Sequence, residues 1–243
     1  MVATLLFFTS LALVLCVAVQ ILWVVFSGTR VPVPKIMRDE QTIGAGPSLR
    51  YLVMGDSTSI AQGGDYIRGY AVATAKYLAK KHTVTWKNIG ISGARAYDVL
   101  EQQLPAALAF SPDLVLLAVG ANDVTHFTNL DVVRNSLERV VQSLQDGNPN
   151  VRIVLTGAPA MGTVPRFLRL TRSLMGRRTR AVNNQVVEVA RHRRVVFAPI
   201  AEETEEIYRT HPELFAADKF HPTTEGYLPW IPVLKHAIDK TKV

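Results

Sequence analysis

Cysteine is all but absent from the sequence: its 243 residues hold one, Cys16, inside an apolar N-terminal run. The remaining chain has no thiol for a disulfide, a zinc cluster or cysteine catalysis. Signatures of nucleic-acid binding are missing as well, since no zinc finger, helix-turn-helix or RNA motif accompanies the formal net charge of +7. That excess, 27 lysines and arginines over 20 acids, suits nucleic acid or anionic lipid alike, and the missing signatures leave anionic lipid as the candidate partner. No lysine follows Gly63 and Gly64 as a phosphate-binding loop would need, and no serine occupies the Gly-x-Ser-x-Gly elbow of an α/β-hydrolase. His and carboxylate residues do not recur at the short spacing of zinc hydrolases, so no metal and no cofactor is expected. Repeats and low-complexity segments are also lacking, and a hydrophobic share of 48% over this length supports one domain with one sizeable core.

Charge is missing from a whole region. The first twenty-nine residues carry none, and from Val2 to Phe26 only Thr4, Thr9, Ser10 and Gln20 interrupt the apolar run. About 20 apolar residues cross a ~30 Å hydrocarbon core as a helix, so residues 1–27 read as a single-pass membrane anchor. A cleavable signal would show a basic start, a shorter apolar stretch and a small-x-small cleavage site, and none is present. Arg30, Lys35 and Arg38 follow the run with nothing basic ahead of it, which by the positive-inside rule leans slightly toward a cytoplasmic domain and leaves either side of the membrane open. Residues 28–48, with Pro32, Pro34, Pro47 and three glycines, read as a tether, and residues 49–243 as the folded domain.

Within that domain short apolar runs alternate with helical stretches. Strands are expected over Leu49–Met54, Thr83–Ile89, Leu114–Val119, Val151–Thr156 and Val195–Ile200, most of them continuous apolar runs of the kind covered on both faces. Helical spacing marks Tyr66–Lys81, Leu130–Gln145, Arg180–His192 and Gly226–Lys240. This alternation implies a doubly wound α/β sheet whose ligands gather at the carboxyl ends of the strands.

Polar residues concentrate at those ends. The first strand runs into "GDSTS", the second into "NIGISGARA", the third into "VGANDVTHF", and "DKFHP" precedes the last helix. Glycine, asparagine and aspartate there are also ordinary turn residues, so each segment alone says little. Together they supply a chemistry. A serine needs a base within reach and a third group to orient that base. Of the six histidines His221 is the best base, because Asp218 lies three residues before it. The amides of Ser57 and Gly93 and the side chain of Asn122 can serve as donors to an oxyanion.

In this order, "GDSTS", "NIGISGARAYDVL", "GAND" and "DKFHP" resemble the four sequence blocks of the SGNH or GDSL hydrolases, a family of esterases and lipases. The resemblance implies a flavodoxin-like sandwich with five parallel strands. It also implies Ser57 as nucleophile, Asp218 and His221 as the rest of the triad, and an oxyanion hole of Ser57, Gly93 and Asn122. Ala121 stands where many members have a second glycine, and leaves Asn122 in place. The reading is a membrane-tethered serine esterase or lipase acting on an acyl ester or lipid. An acyltransferase working through the same acyl-enzyme, or a binding protein on the same fold, are the alternatives.

One basic stretch lies outside this chemistry. From Arg166 to Arg194 nine arginines face one acid, Glu188, and Arg166, Arg169 and Arg172 recur at helical spacing near Phe167, Leu170 and Leu174. It is either a solvated face or a contact with a membrane surface or an anionic substrate.

Overall fold

The computed structural model describes residues 29–241 and, ahead of them, only Thr4, Phe7, Phe8, Thr9, Leu11, Leu15 and Val19. The anchor expected over residues 1–27 thus lies largely outside the described residues. Among the described residues no helix is long and apolar enough to cross a membrane.

Six strands form one sheet: β1 (Gln41–Ile43), β2 (Ser48–Gly55), β3 (Thr83–Asn88), β4 (Leu114–Ala118), β5 (Arg152–Thr156) and β6 (Val196–Ala198). Their order is β1-β3-β2-β4-β5-β6. The last five in the chain are parallel to one another, and in spatial order they follow the flavodoxin-like pattern, with the switch point between β2 and β4. Six longer helices pack on the two faces: α1 (Tyr70–Leu78), α2 (Leu104–Phe110), α3 (Leu130–Gly147), α4 (Arg169–Arg193), α5 (Ile200–Thr210) and α6 (Trp230–Lys240).

The central strands are apolar on both faces because both faces are covered. Leu52 and Met54 of β2 point into a core with Val115 and Leu117 of β4 and Val140 and Leu144 of α3. Leu49, Tyr51 and Val53 point the other way, into a core with Tyr70 and Ala75 of α1 and Trp230 and Leu234 of α6. Tyr70 and Trp230 stack there with ring centroids 5.6 Å apart, and Tyr227 packs edge-on against both. Such aromatic pairs add about 0.5–1.5 kcal/mol each beyond their burial.

The five parallel strands stand where the sequence places them, but the sheet is mixed. Gln41–Ile43 pairs antiparallel with β3, Ile43 opposite Val84, and so occupies an edge that would otherwise be open. The segment read as a free tether is therefore part of the domain, which begins before Leu49. Further back, Arg38 donates to the Gly90 carbonyl at 3.2 Å, and Ile36 packs on the second core. Three helical boundaries also differ. A 3-10 turn (Tyr66–Arg68) precedes α1 and ends at Gly69; α4 begins at Arg169, eleven residues ahead of the expected start; and Ile200, expected to end a strand, begins α5. The stretch from Ala96 to Phe110 is helical, with a π-helical turn over Val99–Gln103.

Candidate active site

β2 delivers its polar tip through a sharp turn at Gly55. That residue has φ +134°, and a Cβ there would fall 1.9 Å from the Ala118 carbonyl oxygen of the neighbouring strand. Only glycine lets the two strand ends lie side by side at the switch point. The Asp56 amide then donates to Ala118 O at 2.9 Å, and the chain folds into a turn that presents Ser57. Asp56 does not face a substrate. Its Oδ1 accepts from the amide and the hydroxyl of Thr58, at 2.9 and 2.7 Å, and so ties the turn from below. Burial raises its pKa to about 6, against the lowering effect of those hydrogen bonds.

His221 arrives from the far end of the chain. Its Nε2 lies 3.1 Å from Ser57 Oγ, and its Nδ1 lies 2.6 Å from Asp218 Oδ2. With the Nδ1 proton held by Asp218, Nε2 is left to accept the serine proton. The other oxygen of Asp218 accepts the amides of Phe220 and His221, at 2.9 and 3.0 Å. Burial pushes the Asp218 pKa up, but the hydrogen bonds from the His221 ring and these two amides outweigh it and hold the carboxyl below its usual range. Asp218 thus stays ionised opposite the ring, able to stabilise an imidazolium.

The second and third tips meet beside the serine turn. Asn122 donates one amide hydrogen to Ala94 O at 3.0 Å, which keeps a second hydrogen for another acceptor. The Ser57 and Gly93 amides donate to no group among the described residues. Asp123 accepts the Ala96 amide at 3.0 Å, binding the third loop to the second. Asp56, Asp123 and His221 each have separate partners and do not gather into a cluster. All the predicted residues therefore converge at one end of the sheet, Ser57, His221 and Asp218 in direct hydrogen-bond sequence.

Supporting residues went unnoticed in the sequence. Gln103, buried on the π turn, donates to Gly55 O and accepts from Gly55 N, both at 2.8 Å. Buried Asn88 donates to Ser59 O at 2.8 Å and accepts the Gly90 amide at 3.0 Å, joining the serine turn to the second loop. Arg166, expected on a basic helix face, lies ahead of α4 and instead grips the loop behind the base: its side chain donates to Asp218 O at 3.3 Å, its amide to Lys219 O at 2.9 Å. Nothing local marks Gln103 for such a role, since Asp98, Glu101 and Gln102 stand beside it in the same helical stretch.

Next to Ser57 and His221 opens a narrow apolar pocket. Its walls include Met161, Val164, Tyr208, Phe215, Phe220 and Trp230. Its free space is small, on the order of one or two water molecules, so in this conformation it has room for a short acyl group beside Ser57 and not for a long chain.

The model of the GDSL-like lipase/acylhydrolase family matches residues 53–228. Among solved structures the chain is similar to TesA, with 22% identity, a TM-score of 0.66, and 79% of this chain and 99% of that one covered. It is similar also to phospholipase A1 from Streptomyces albidoflavus NA297, at 19% identity, a TM-score of 0.63 and coverage of 78% and 99%. A catalytic mutant of Axe2, an acetylxylan esterase from Geobacillus stearothermophilus, matches at 20% identity, a TM-score of 0.64 and coverage of 82% and 96%. At these identities the likenesses speak for the fold. No curated protein matches the chain.

Proposed function

From the premise that this chain belongs to the GDSL-like lipase/acylhydrolase family and is a serine ester hydrolase, we propose that Ser57 carries its acyl-enzyme and that it works while anchored in a membrane. His221 removes the Ser57 proton as Oγ attacks the ester carbonyl, and Asp218 holds the imidazolium that results. The Ser57 and Gly93 amides and the spare Asn122 hydrogen receive the oxyanion. His221 then protonates the departing alcohol, and water activated by the same ring releases the acid. The observation that carries this reading is the unbroken line from Asp218 Oδ2 through the ring to Ser57 Oγ, at 2.6 and 3.1 Å, beside an apolar pocket.

The membrane part rests on the apolar run of residues 1–27. The contact that follows it supports a short connection. Gln62 donates to the Val31 carbonyl at 3.2 Å, so the chain meets the domain four residues past the anchor. Four residues span at most about 14 Å. Gln62 also accepts from Ser92 Oγ at 2.6 Å, next to Gly93, so an anchor over residues 1–27 would keep the active-site edge close to the bilayer.

Turnover of p-nitrophenyl esters of graded chain length, run beside lysophospholipids, tests the reaction and ranks the acyl chains. No turnover of any ester by folded protein would refute it. Retention of the full chain in the membrane fraction after an alkaline carbonate wash tests the anchor, and its release would refute that part.

A further inference from the structure

The basic stretch does not form the single face its spacing suggests. Arg172 is committed to the carbonyls of Phe167 and Pro165, at 2.8 and 3.3 Å, and Arg178 to the carbonyl of Thr128. Three others gather in one place. Arg169, Arg177 and Arg180 line one open basin together with Arg172, Ser173 and Arg209, and Glu205 is its single carboxylate. Arg209 pairs with Glu206, outside the lining. The side chains of Arg169, Arg177 and Arg180 have no hydrogen-bond or ion-pair partner among the described residues.

Backbone forms the floor of this basin. A Cβ on Gly162 would come 3.0 Å from the Gly176 Cα, so the Met161–Thr163 turn lies directly on α4 because both positions lack side chains. That turn is also the partition between two cavities. Met161 faces the acyl pocket beside Ser57, while Gly162 and Thr163 face the arginines.

Like charges three to four residues apart on a helix repel one another, and here no carboxylate in the first turns of α4 relieves them. Planar guanidinium groups around a concave, solvent-open floor suit a phosphate, which each can engage through two parallel N–H groups. We infer that this basin, one turn of chain from the acyl pocket, is a binding site for a phosphate oxyanion. The phosphate comes either from the ester substrate itself or from a bilayer headgroup; exposed Leu170 and Leu174 on the same helix suit the second source. The assignment of a substrate role rests on the hydrolase reading above, whereas binding of phosphate does not.

The test uses the full chain in nonionic detergent, titrated with inorganic phosphate by calorimetry. The Arg177→Gln/Arg180→Gln variant should bind about tenfold or more weakly, as expected for loss of charge-assisted hydrogen bonds. Glu205→Gln should bind more tightly, a gain that misfolding cannot mimic. Absence of binding, or affinities that ignore all three substitutions, overturns the site. The sources separate in a second measurement, kcat/KM on butyryl esters of glycerol and of glycerol 3-phosphate. If the double arginine variant lowers the ratio of phosphorylated to uncharged ester, the phosphate is the substrate's own. An unchanged ratio, with arginine-dependent phosphate binding, assigns the basin to a headgroup. Failure of wild type to cleave the uncharged ester counts against the triad and leaves the phosphate titration standing.

Discussion

Asp56 invites a substitution that should stabilise the protein and impair it at once. Its side chain is 1% exposed, and burial raises its pKa to about 6. In the unfolded chain an aspartate titrates near 3.9, so the folded state binds this proton more tightly by roughly two units, or ~3 kcal/mol. The sign follows. For an acid whose folded pKa is raised, stability is greatest where both states are protonated, falls as pH rises from about 4 to about 6, and is level above. An asparagine in its place would have no charge to bury and would keep an Oδ1 to accept the Thr58 amide and hydroxyl, now at 2.9 and 2.7 Å. Asp56→Asn should therefore gain up to ~3 kcal/mol at pH 7.5, and little at pH 4. Urea denaturation followed by tryptophan fluorescence, on both proteins at both pH values, measures the difference. The activity should move the other way. The Asp56 charge interacts favourably with His221, and losing it removes support for the imidazolium, so kcat should fall. An Asp56→Asn protein less stable than wild type at pH 7.5, or a wild type whose stability is flat between pH 4 and 6, would refute the reasoning.

Other substitutions probe the remaining parts. Asp218→Asn should lower kcat by about 10³–10⁴ through loss of the ring's orientation and charge partner, with the fold retained by circular dichroism. The lowered pKa of Asp218 adds an opposite pH signature: the stability it contributes is present above about pH 4 and is lost as pH falls below that value, so the Asp218→Asn protein should lack this acid-side loss. Asn122→Ala should reduce kcat by about 10²–10³ with little change in KM, and an effect confined to KM would remove its oxyanion role. Gly55→Ala should fail to fold, because the added methyl meets the Ala118 carbonyl at 1.9 Å; recovery of soluble, active protein would contradict the strand-end geometry.

What could be read in advance follows from how each part is encoded. The five parallel strands were legible because helices cover both faces and leave continuous apolar runs such as Leu114–Ala118. The three-residue strand Gln41–Ile43 had no such signal; it owes its existence to a neighbour in space, β3, and not to its own pattern. Helix α4 starts eleven residues ahead of the apolar spacing at Arg180–His192, because its first turns owe their place to a contact in space, Gly176 against the Met161–Thr163 turn. Ser57, Gly93 and Asn122 stood out because their chemistry needs those residue types at strand tips, and Asp218 and His221 because a base and its orienting acid stand three residues apart ahead of the last helix. The clamps behind them did not. Gln103 reaches Gly55 across 48 residues and Arg166 reaches Asp218 across 52, and nothing local announces either contact. The arginines divide for the same reason: helical spacing brought Arg166, Arg169 and Arg172 together on paper, while tertiary contacts send them to a catalytic loop, a basin and two backbone carbonyls.

The central claim is that Ser57 is activated as a nucleophile by His221, and covalent labelling tests it most directly. Full-chain protein treated with a fluorophosphonate should gain one adduct, mapped by peptide mass spectrometry to Ser57. The Ser57→Ala protein should gain none, and His221→Ala should react far more slowly. Folded wild-type protein that stays unlabelled, or an adduct mapped to any other residue, would contradict the account.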